Sequence, residues 1–233
     1  MRRINLAFLE SGMKIARPVY GSDGRLLLAS GLTLTEKFIE RLADLGIGSL
    51  YVEDPLFQGE LNVSDVVSEQ TRLESVKLVK ECFHDLEKEK NIDAWAVRKT
   101  VNDLADEILS NQDILVNYFD IRTYDDYTFN HSVNVTILSI LAGITLGYNR
   151  LKLRELAIGA LLHDIGKISI DKKILNKKEK LTAEEYKHIQ QHSETGFNTL
   201  RSYYEIPTLS SLIAYQHHER PDGSGYPRGL KAE

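Results

Sequence analysis

The sequence predicts a mainly α protein in which an all-α helical domain follows a small α/β module. Residues 1–55 alternate short apolar runs with turn signals, whereas from about Ser64 apolar residues recur at steps of three and four, the period of amphipathic helices. No stretch after residue 60 has the pattern of a strand. We therefore predict an α/β accessory module, a helical linker with the first helices, and a main helical domain, at 1–55, 56–118 and 119–233 respectively.

Within the first 55 residues the order of signals predicts a hairpin, a helix and a closing strand. The turn sequence Ser22-Asp23-Gly24 separates two apolar runs and supplies a residue that tolerates positive φ. Thr35 is placed to cap a helix that runs to about Leu45 and stops at Gly46. The segment "SLYVED" then has the composition of a strand that closes the module.

The rest of the chain carries apolar stripes at helical spacing, which predict successive amphipathic helices. The first two stripes are Val76, Val79, Phe83 and Leu86, and then Val97, Val101, Leu104 and Ile108. Four further helices are predicted at about 128–147, 151–164, 183–200 and 207–219. The capping-box residues Thr182 and Glu185 open the third of these.

Composition limits the classes of function. A net charge of −5 argues against binding to a nucleic acid polymer, which requires clustered Lys and Arg, although a basic pocket for a small phosphorylated ligand stays open.

Cys82 is the single cysteine, so no intramolecular disulfide forms. It is interpreted as a packed helix residue, and its isolation fits a cytoplasmic protein. The uncharged stretch 131–149 includes Asn134 and two glycines, which favours a buried helix over a membrane span.

Histidines concentrate in the second half of the chain, where six of the seven lie at or after residue 131. Five of them stand among apolar residues on four predicted helices, together with one aspartate: His131, His163, Asp164, His192, His217 and His218. Imidazole suits zinc, iron, nickel or manganese, and a carboxylate can bridge two metal ions. This combination predicts a dinuclear transition-metal site in which Asp164 is the bridge.

Three residues near these histidines bear on the prediction. Gly166 is expected to take the left-handed conformation and end the helix, which leaves Lys167 beside the metal site. There Lys167 could hold an anionic substrate or stabilise a transition state, or else only interact with the helix dipole. His188 lies four residues before His192, but its segment "EEYKHIQQH" is polar, so we expect His188 at the surface.

The segment "HHERPDGSGYPRGL" contains a dense run of turn-forming residues, which predicts a tightly shaped loop. These residues are Pro221, Asp222, Gly223, Gly225 and Pro227. Loops held by rigid helices commonly line active sites, and the two histidines directly before this loop favour that interpretation over a simple helix-terminating turn.

These motifs resemble the HD-GYP subgroup of the HD metal-dependent phosphohydrolases. The similarity rests on "HDIGK" at 163–167 and on "HHERPDGSGYP", and it runs from about Tyr124 to Leu230. It implies an HD-type helical domain and a bacterial signalling enzyme that hydrolyses cyclic di-GMP to pGpG or GMP. The first 55 residues are similar to an accessory module found before some HD-GYP domains, through "SGMKIARPVYGSDGRLL".

The resemblance also implies roles for individual residues. Lys167 would contact the substrate phosphate, and the triplet Gly225, Tyr226 and Pro227 would form a substrate loop. The implied ligands of iron or manganese are His131, His163, Asp164, His192, His217 and His218. Some family members carry an acidic residue that supports a third ion at the position where this chain has Tyr127, so we expect two ions.

The chain departs from the family pattern at Lys178-Glu179, at Ser193 and at its end. Family members continue past the loop through helices that supply another metal-binding aspartate, whereas this sequence stops at Glu233. We expect a C-terminally incomplete domain whose exposed apolar surface a homodimer would bury. Two alternatives stay open: a non-catalytic cyclic di-GMP receptor or interaction module, and an HD enzyme for another nucleotide or cyclic dinucleotide.

Overall fold

The computed structural model describes residues 1–21, 25–54, 66–111, 127–177 and 179–232. The chain divides into two compact units. The first comprises Met1–Val66 with Asp113–Asn130, and the second comprises Val67–Gln112 with His131–Glu233. The predicted hairpin turn at 22–24 and the predicted divisions after residues 55 and 118 lie outside the described residues. The three-part division therefore stays a prediction.

The first unit contains two antiparallel strand pairs and one complete α-helix within its described residues. Its elements are β1 (Arg2–Asn5), a 3-10 helix (Leu6–Phe8), β2 (Val19–Tyr20), β3 (Leu26–Leu28), α1 (Glu36–Asp44) and β4 (Ser49–Val52). Strand β1 pairs with β4, and β2 pairs with β3. Between them the strands and α1 bury one apolar core: Leu9, Ile15, Leu28, Leu34, Leu42, Ile47, Leu50 and Val52.

The predicted hairpin, helix and closing strand of this unit are all present. Thr35 accepts a hydrogen bond from the Phe38 amide at 3.4 Å and so caps α1, and Gly46 has a positive φ of 71° just after the helix. Strand β1 was not predicted. Its arginines are exposed, so this strand lacks the apolar alternation from which strands are recognised.

The described residues after Val66 are mainly helical, as predicted. The helices are α2 (Glu69–Glu87), α3 (Ala94–Ser110), α4 (Tyr127–Thr145), α5 (Arg150–Leu162), α6 (Lys172–Leu175), α7 (Ala183–Arg201) and α8 (Thr208–Gln216), with a 3-10 helix at Ile165–Ser169. The capping box is present, because Thr182 accepts from the Glu185 amide and Glu185 accepts from the Thr182 amide. Of the helices in the described ranges, none combines the length and hydropathy that crossing a bilayer requires.

The two predicted apolar stripes differ in burial. Every residue of the α3 stripe is buried: Val97, Val101, Leu104 and Ile108. On α2, Val79 is fully buried, but Phe83 and Leu86 are only partly buried. Cys82 takes part in the α2 core instead, with 2% of its surface exposed. Burial raises its pKa to about 12, so Cys82 is a packed residue as predicted.

Glycines allow the 3-10 helix, α7 and α8 to pack closely. A Cβ atom on Gly166 would overlap the carbonyl oxygen of His192 and lie 2.5 Å from the Gly196 amide nitrogen. Gly196 in turn faces Gly166 and Ala214. Only glycine fits at such a backbone contact. The 3-10 helix can therefore lie directly against the part of α7 that carries His192.

The predicted left-handed conformation of Gly166 is wrong. Gly166 lies inside the 3-10 helix Ile165–Ser169 and is not among the glycines with positive φ. Helix α5 already ends at Leu162, and His163 keeps helical angles of φ −55° and ψ −34°. The chain tightens into the 3-10 helix without reversing. Glycine is required at 166 by the closeness of α7 and not by backbone conformation.

Candidate metal centre

The six predicted metal ligands meet at one place. They come from four helices or from the residues directly after them: His131 in α4, His163 and Asp164 after α5, His192 in α7, and His217 and His218 after α8. Their ligand atoms form two groups that share Asp164, and the atoms of each group lie within 4.8 Å of one another. The three-residue group is His131, His163 and Asp164. The four-residue group is Asp164, His192, His217 and His218.

The two carboxylate oxygens of Asp164 face different groups. Oδ2 lies 3.2 Å from His163 Nε2, whereas Oδ1 lies 3.5 Å from His192 Nε2 and 3.7 Å from His217 Nε2. The Asp164 side chain is 2% exposed, so water contributes little to its environment. One oxygen directed to each ligand group is the arrangement in which a carboxylate bridges two metal ions.

Backbone carbonyls orient three of the imidazoles. The Nδ1 atom of each contacts the carbonyl oxygen three residues earlier: His163 to Ala160 at 2.7 Å, His192 to Ile189 at 2.7 Å, and His217 to Ala214 at 3.0 Å. A carbonyl oxygen can only accept, so each Nδ1 carries the hydrogen and donates. In the neutral ring, Nε2 then has a free lone pair, which is the form that binds a metal ion.

The donor set fits a cation. Nε2 of His192 and Nε2 of His217 are 3.1 Å apart. Because both rings use their hydrogen at Nδ1, these two lone pairs and Asp164 Oδ1 converge with no hydrogen among the three atoms. Such a cluster of acceptors is electrostatically unfavourable until a positive charge lies between them. Imidazole nitrogens with a carboxylate are ligands that zinc, iron and manganese accept.

Protonation states in the site favour metal binding. Burial, with a smaller contribution from neighbouring imidazoles, lowers the pKa of His217 to about 3 and that of His218 to about 4. Burial also lowers the pKa of His131 and His192. Burial alone would raise the pKa of Asp164, but His163 and Lys167 outweigh it and hold that pKa well below its usual range. An ionised carboxylate therefore stands among four imidazoles whose pKa is lowered, those of His131, His192, His217 and His218.

Lys167 lies at the edge of the site. Its Nζ donates to Asp164 Oδ2 at 2.6 Å, and 21% of its side chain is exposed. An ammonium group has three donors, so the bond to Asp164 leaves two for a ligand that arrives from solvent. Contact with the aspartate of the site distinguishes Lys167 from a lysine that only interacts with a helix dipole.

The loop after His218 is tightly shaped, as predicted. Glu219 accepts hydrogen bonds from the amides of Arg228 at 2.7 Å and Leu230 at 2.8 Å, and so ties the start of the loop to its end. Within the loop, Asp222 accepts from the Ser224 amide at 2.9 Å. These bonds help to fix the path of a segment rich in glycine and proline.

The predicted triplet of substrate-loop residues lies in this segment. A Cβ on Gly225 would lie 2.5 Å from the carbonyl oxygen of His218, and the Tyr226 amide donates to that same oxygen at 3.2 Å. The Tyr226 ring stacks on the His218 ring, with centroids 4.6 Å apart and planes at 22°. Pro227 is exposed. The loop therefore places an aromatic ring directly on a residue of the four-residue group.

Three residues at the site were not predicted. Glu219 holds the loop, Gly196 contacts Gly166, and Tyr186 meets Tyr226 edge to face with centroids 6.4 Å apart. The glycine inside a helical pattern was a signal for close packing that could have been used. His188 lies outside both groups and is partly exposed, in keeping with its predicted position near the surface.

Comparison with known proteins finds similarity to the HD domain family. Residues 121–233 match the family described as HD domain. A cyclic di-GMP phosphodiesterase from Pseudomonas aeruginosa, PA4108, is 34% identical over 151 residues, which is 65% of this chain and 36% of that protein. A cyclic di-GMP phosphodiesterase from Thermotoga maritima is 42% identical over 126 residues, covering 54% and 33% of the two chains. The 3′3′-cGAMP-specific phosphodiesterase 1 of Vibrio cholerae is 38% identical over 126 residues, covering 54% and 28%.

The chain thus spans about a third of the length of these curated relatives. Among solved structures, Bd1817, a HDG"Y"P protein from Bdellovibrio bacteriovorus, superposes with a TM-score of 0.56 at 19% identity. The superposition covers 99% of this chain and 81% of the Bd1817 chain. That similarity concerns the fold. The helical fold, the His/Asp cluster and the match over residues 121–233 support an HD domain in this part of the chain. The names of the relatives support, more narrowly, a member of the HD-GYP family.

Proposed function

We propose that this chain hydrolyses the phosphodiester bonds of cyclic di-GMP with two transition-metal ions, iron or manganese. The observation that carries the proposal is the pair of ligand groups that share Asp164. The names of the relatives from Pseudomonas aeruginosa and Thermotoga maritima support the substrate. In the reaction, water adds to phosphorus and the P–O3′ bond breaks, which gives linear pGpG. A second hydrolysis gives GMP.

The residues of the site have different roles in the proposed reaction. When bound, the two ions supply Lewis-acid activation of the phosphodiester and of the attacking water. The carbonyl-bonded imidazoles hold their Nε2 atoms in place, so the ligands need little rearrangement. Lys167 offers its remaining donors to a phosphate oxygen, and charge-assisted bonds of this kind are stronger than neutral ones. The loop that contains Tyr226 covers one side of the site.

The direct test combines elemental analysis of the purified chain with hydrolysis of cyclic di-GMP, followed by chromatography. We expect bound iron or manganese and the appearance of pGpG or GMP. In Asp164→Asn, turnover should fall at least roughly a hundredfold, because removing an electrostatic stabiliser of a transition state costs at least this much. His188→Ala is the matched control, since His188 lies outside both ligand groups.

Two outcomes would replace the proposal. Binding of cyclic di-GMP without product formation would make the chain a receptor. Turnover of 3′3′-cGAMP in preference to cyclic di-GMP would assign it the substrate named for its Vibrio cholerae relative.

A cytoplasmic location and a homodimer are further parts of the proposal. Size-exclusion chromatography with light scattering tests the homodimer.

A further inference from the structure

A row of aromatic rings leads out of the four-residue group. The ring centroids of His192 and His218 are 5.1 Å apart, those of His218 and Tyr226 are 4.6 Å apart, and those of Tyr226 and Tyr186 are 6.4 Å apart. The Tyr226 centroid also lies 6.3 Å from that of His192. Tyr226 therefore connects a buried ligand of the site to Tyr186.

Exposure increases along this row. His192 is fully buried, Tyr226 is partly buried, and Tyr186 is 50% exposed. Tyr186 precedes His192 by six residues on α7, a rise of about 9 Å along the helix axis. The row thus spans the distance from the metal ligands to solvent, and it ends in an aromatic ring that is half accessible.

The position of Tyr186 is fixed by the start of α7. Its neighbour Glu185 closes the capping box with Thr182, and both oxygens of Glu185 accept from Lys177 Nζ at 2.7 Å. Tyr226 packs edge to face against the ring, with planes at 83°. Tyr186 is therefore a ring held at a set distance from the site, which distinguishes it from an isolated surface aromatic.

We propose that Tyr186, supported by Tyr226, is a stacking platform for the purine base of a nucleotide whose phosphate lies at the ligand groups. The proposal rests on the proposed function, because that function places a phosphodiester at the metal centre. A phosphate bound there carries a ribose and a base that must extend outward. Aromatic side chains are the usual platforms for such bases, since every base has a π face.

Stacking predicts that Tyr186 favours nucleotides as a class but does not distinguish one purine base from another. It depends on the ring faces and not on the hydrogen-bonding edge of the base, so guanine and adenine should be accepted alike. Tyr186 would therefore contribute equally to the binding of cyclic di-GMP and of a cyclic dinucleotide with one guanine and one adenine. Any preference between these two must arise from other residues.

The test measures binding of GMP and of inorganic phosphate to the manganese-loaded chain by calorimetry. Tyr186→Ala should weaken GMP binding roughly tenfold, within the range found for base–aromatic stacking, and should change phosphate binding by less than about twofold. Tyr186→Phe keeps the ring and should bind GMP like the wild type. Tyr148→Ala is the matched control, because Tyr148 is a comparably exposed tyrosine, at 40%, and lies beyond the end of α4.

The results separate this inference from the proposed function. Equal GMP affinity in the wild type and Tyr186→Ala would overturn the platform, as would a wild type that binds GMP no more tightly than phosphate. Tyr186-dependent GMP binding in a chain that does not hydrolyse cyclic di-GMP would keep the platform and refute the phosphodiesterase. For an active chain, Tyr186→Ala should raise KM for cyclic di-GMP roughly tenfold and leave kcat within about threefold, as expected for uniform binding.

Discussion

The two ligand groups around Asp164 are built unequally. The four-residue group adds three imidazoles from α7 and the end of α8 to the shared carboxylate, whereas the three-residue group adds only His131 and His163 among the described residues. Four protein ligands leave fewer positions of an ion to water than three do, and each lost protein ligand lowers affinity. The difference teaches that one carboxylate can serve two sites of different strength.

The groups also differ in how firmly their ligands are placed. In the four-residue group, α7 is fixed against the 3-10 helix by the Gly166–Gly196 contact. In the three-residue group, the rings of His131 and His163 meet edge to face at 5.2 Å and lie on α4 and just after α5. We therefore expect the four-residue group to hold its ion more tightly.

The largest effect is expected at the residue that both groups share. Asp164→Ala should remove both ions and abolish turnover, because each group loses its carboxylate and with it the negative charge that its imidazoles do not supply. Elemental analysis of the dialysed variant measures this directly, with His188→Ala retaining wild-type metal content. One ion retained at full occupancy in Asp164→Ala would show that Asp164 belongs to a single site.

Variants that each lack one ligand test whether the two groups hold their ions with different strength. His131→Ala should lose one ion and keep the other, because it leaves the four-residue group intact. His218→Ala should leave two weakly held ions, since both groups then have three ligands. Chelator titration followed by metal analysis measures the difference as two release steps in the wild type, the weaker one absent from His131→Ala. A single release step in the wild type would contradict the comparison.

A third variant changes the distance between the groups without removing a ligand. In Gly166→Ala the added methyl group overlaps the His192 carbonyl and should push α7 away from Asp164. Overpacking of this kind costs about 1–3 kcal/mol, and metal loss should be greater from the four-residue group, because His163 moves with Asp164. Thermal unfolding and metal content are the measurements. Gly48→Ala is the control, since a Cβ there meets nothing within 4 Å.

The smallest effect is expected in the loop. Glu219→Gln keeps one acceptor oxygen and replaces the other by a donor, so one of the two bonds to Arg228 and Leu230 is lost. A hydrogen bond to a charged group contributes about 1.5–3 kcal/mol, part of which is retained by the remaining oxygen, so we expect a rise in KM of up to about tenfold with both ions still bound. Loss of metal from this variant would mean that the loop supports the ligand groups themselves.

The sequence predicted the ligands more completely than the backbone that joins them. Histidines among apolar residues on separate helices are visible in one dimension, and all six predicted ligand positions lie in the two groups. The role of Gly166 was not visible, because it depends on the approach of α7, which is distant in sequence. Tyr186 was missed for the same reason, since its contact with Tyr226 joins α7 to a loop 40 residues later.

The fold class was predictable because it depends on patterns that are local in the sequence. Helical periodicity is a local property, so α3 with its buried stripe was identified from the sequence alone. Strand β1 was not, because its pairing with β4 is determined by a partner far along the chain. Helix α6 was not predicted either, because a single turn of four residues is too short for any apolar period.

His163 and His217 each stand one residue beyond a helix and donate to a carbonyl of its last turn. The final carbonyls of a helix have no partner within it, so these imidazoles act as C-terminal caps. Each bond joins a ring to the helix that directly precedes it, and neither bond requires a metal ion. An apo-protein should accordingly keep both rings aimed at the site, and the conformational entropy of ordering them is lost during folding and not when the ion arrives.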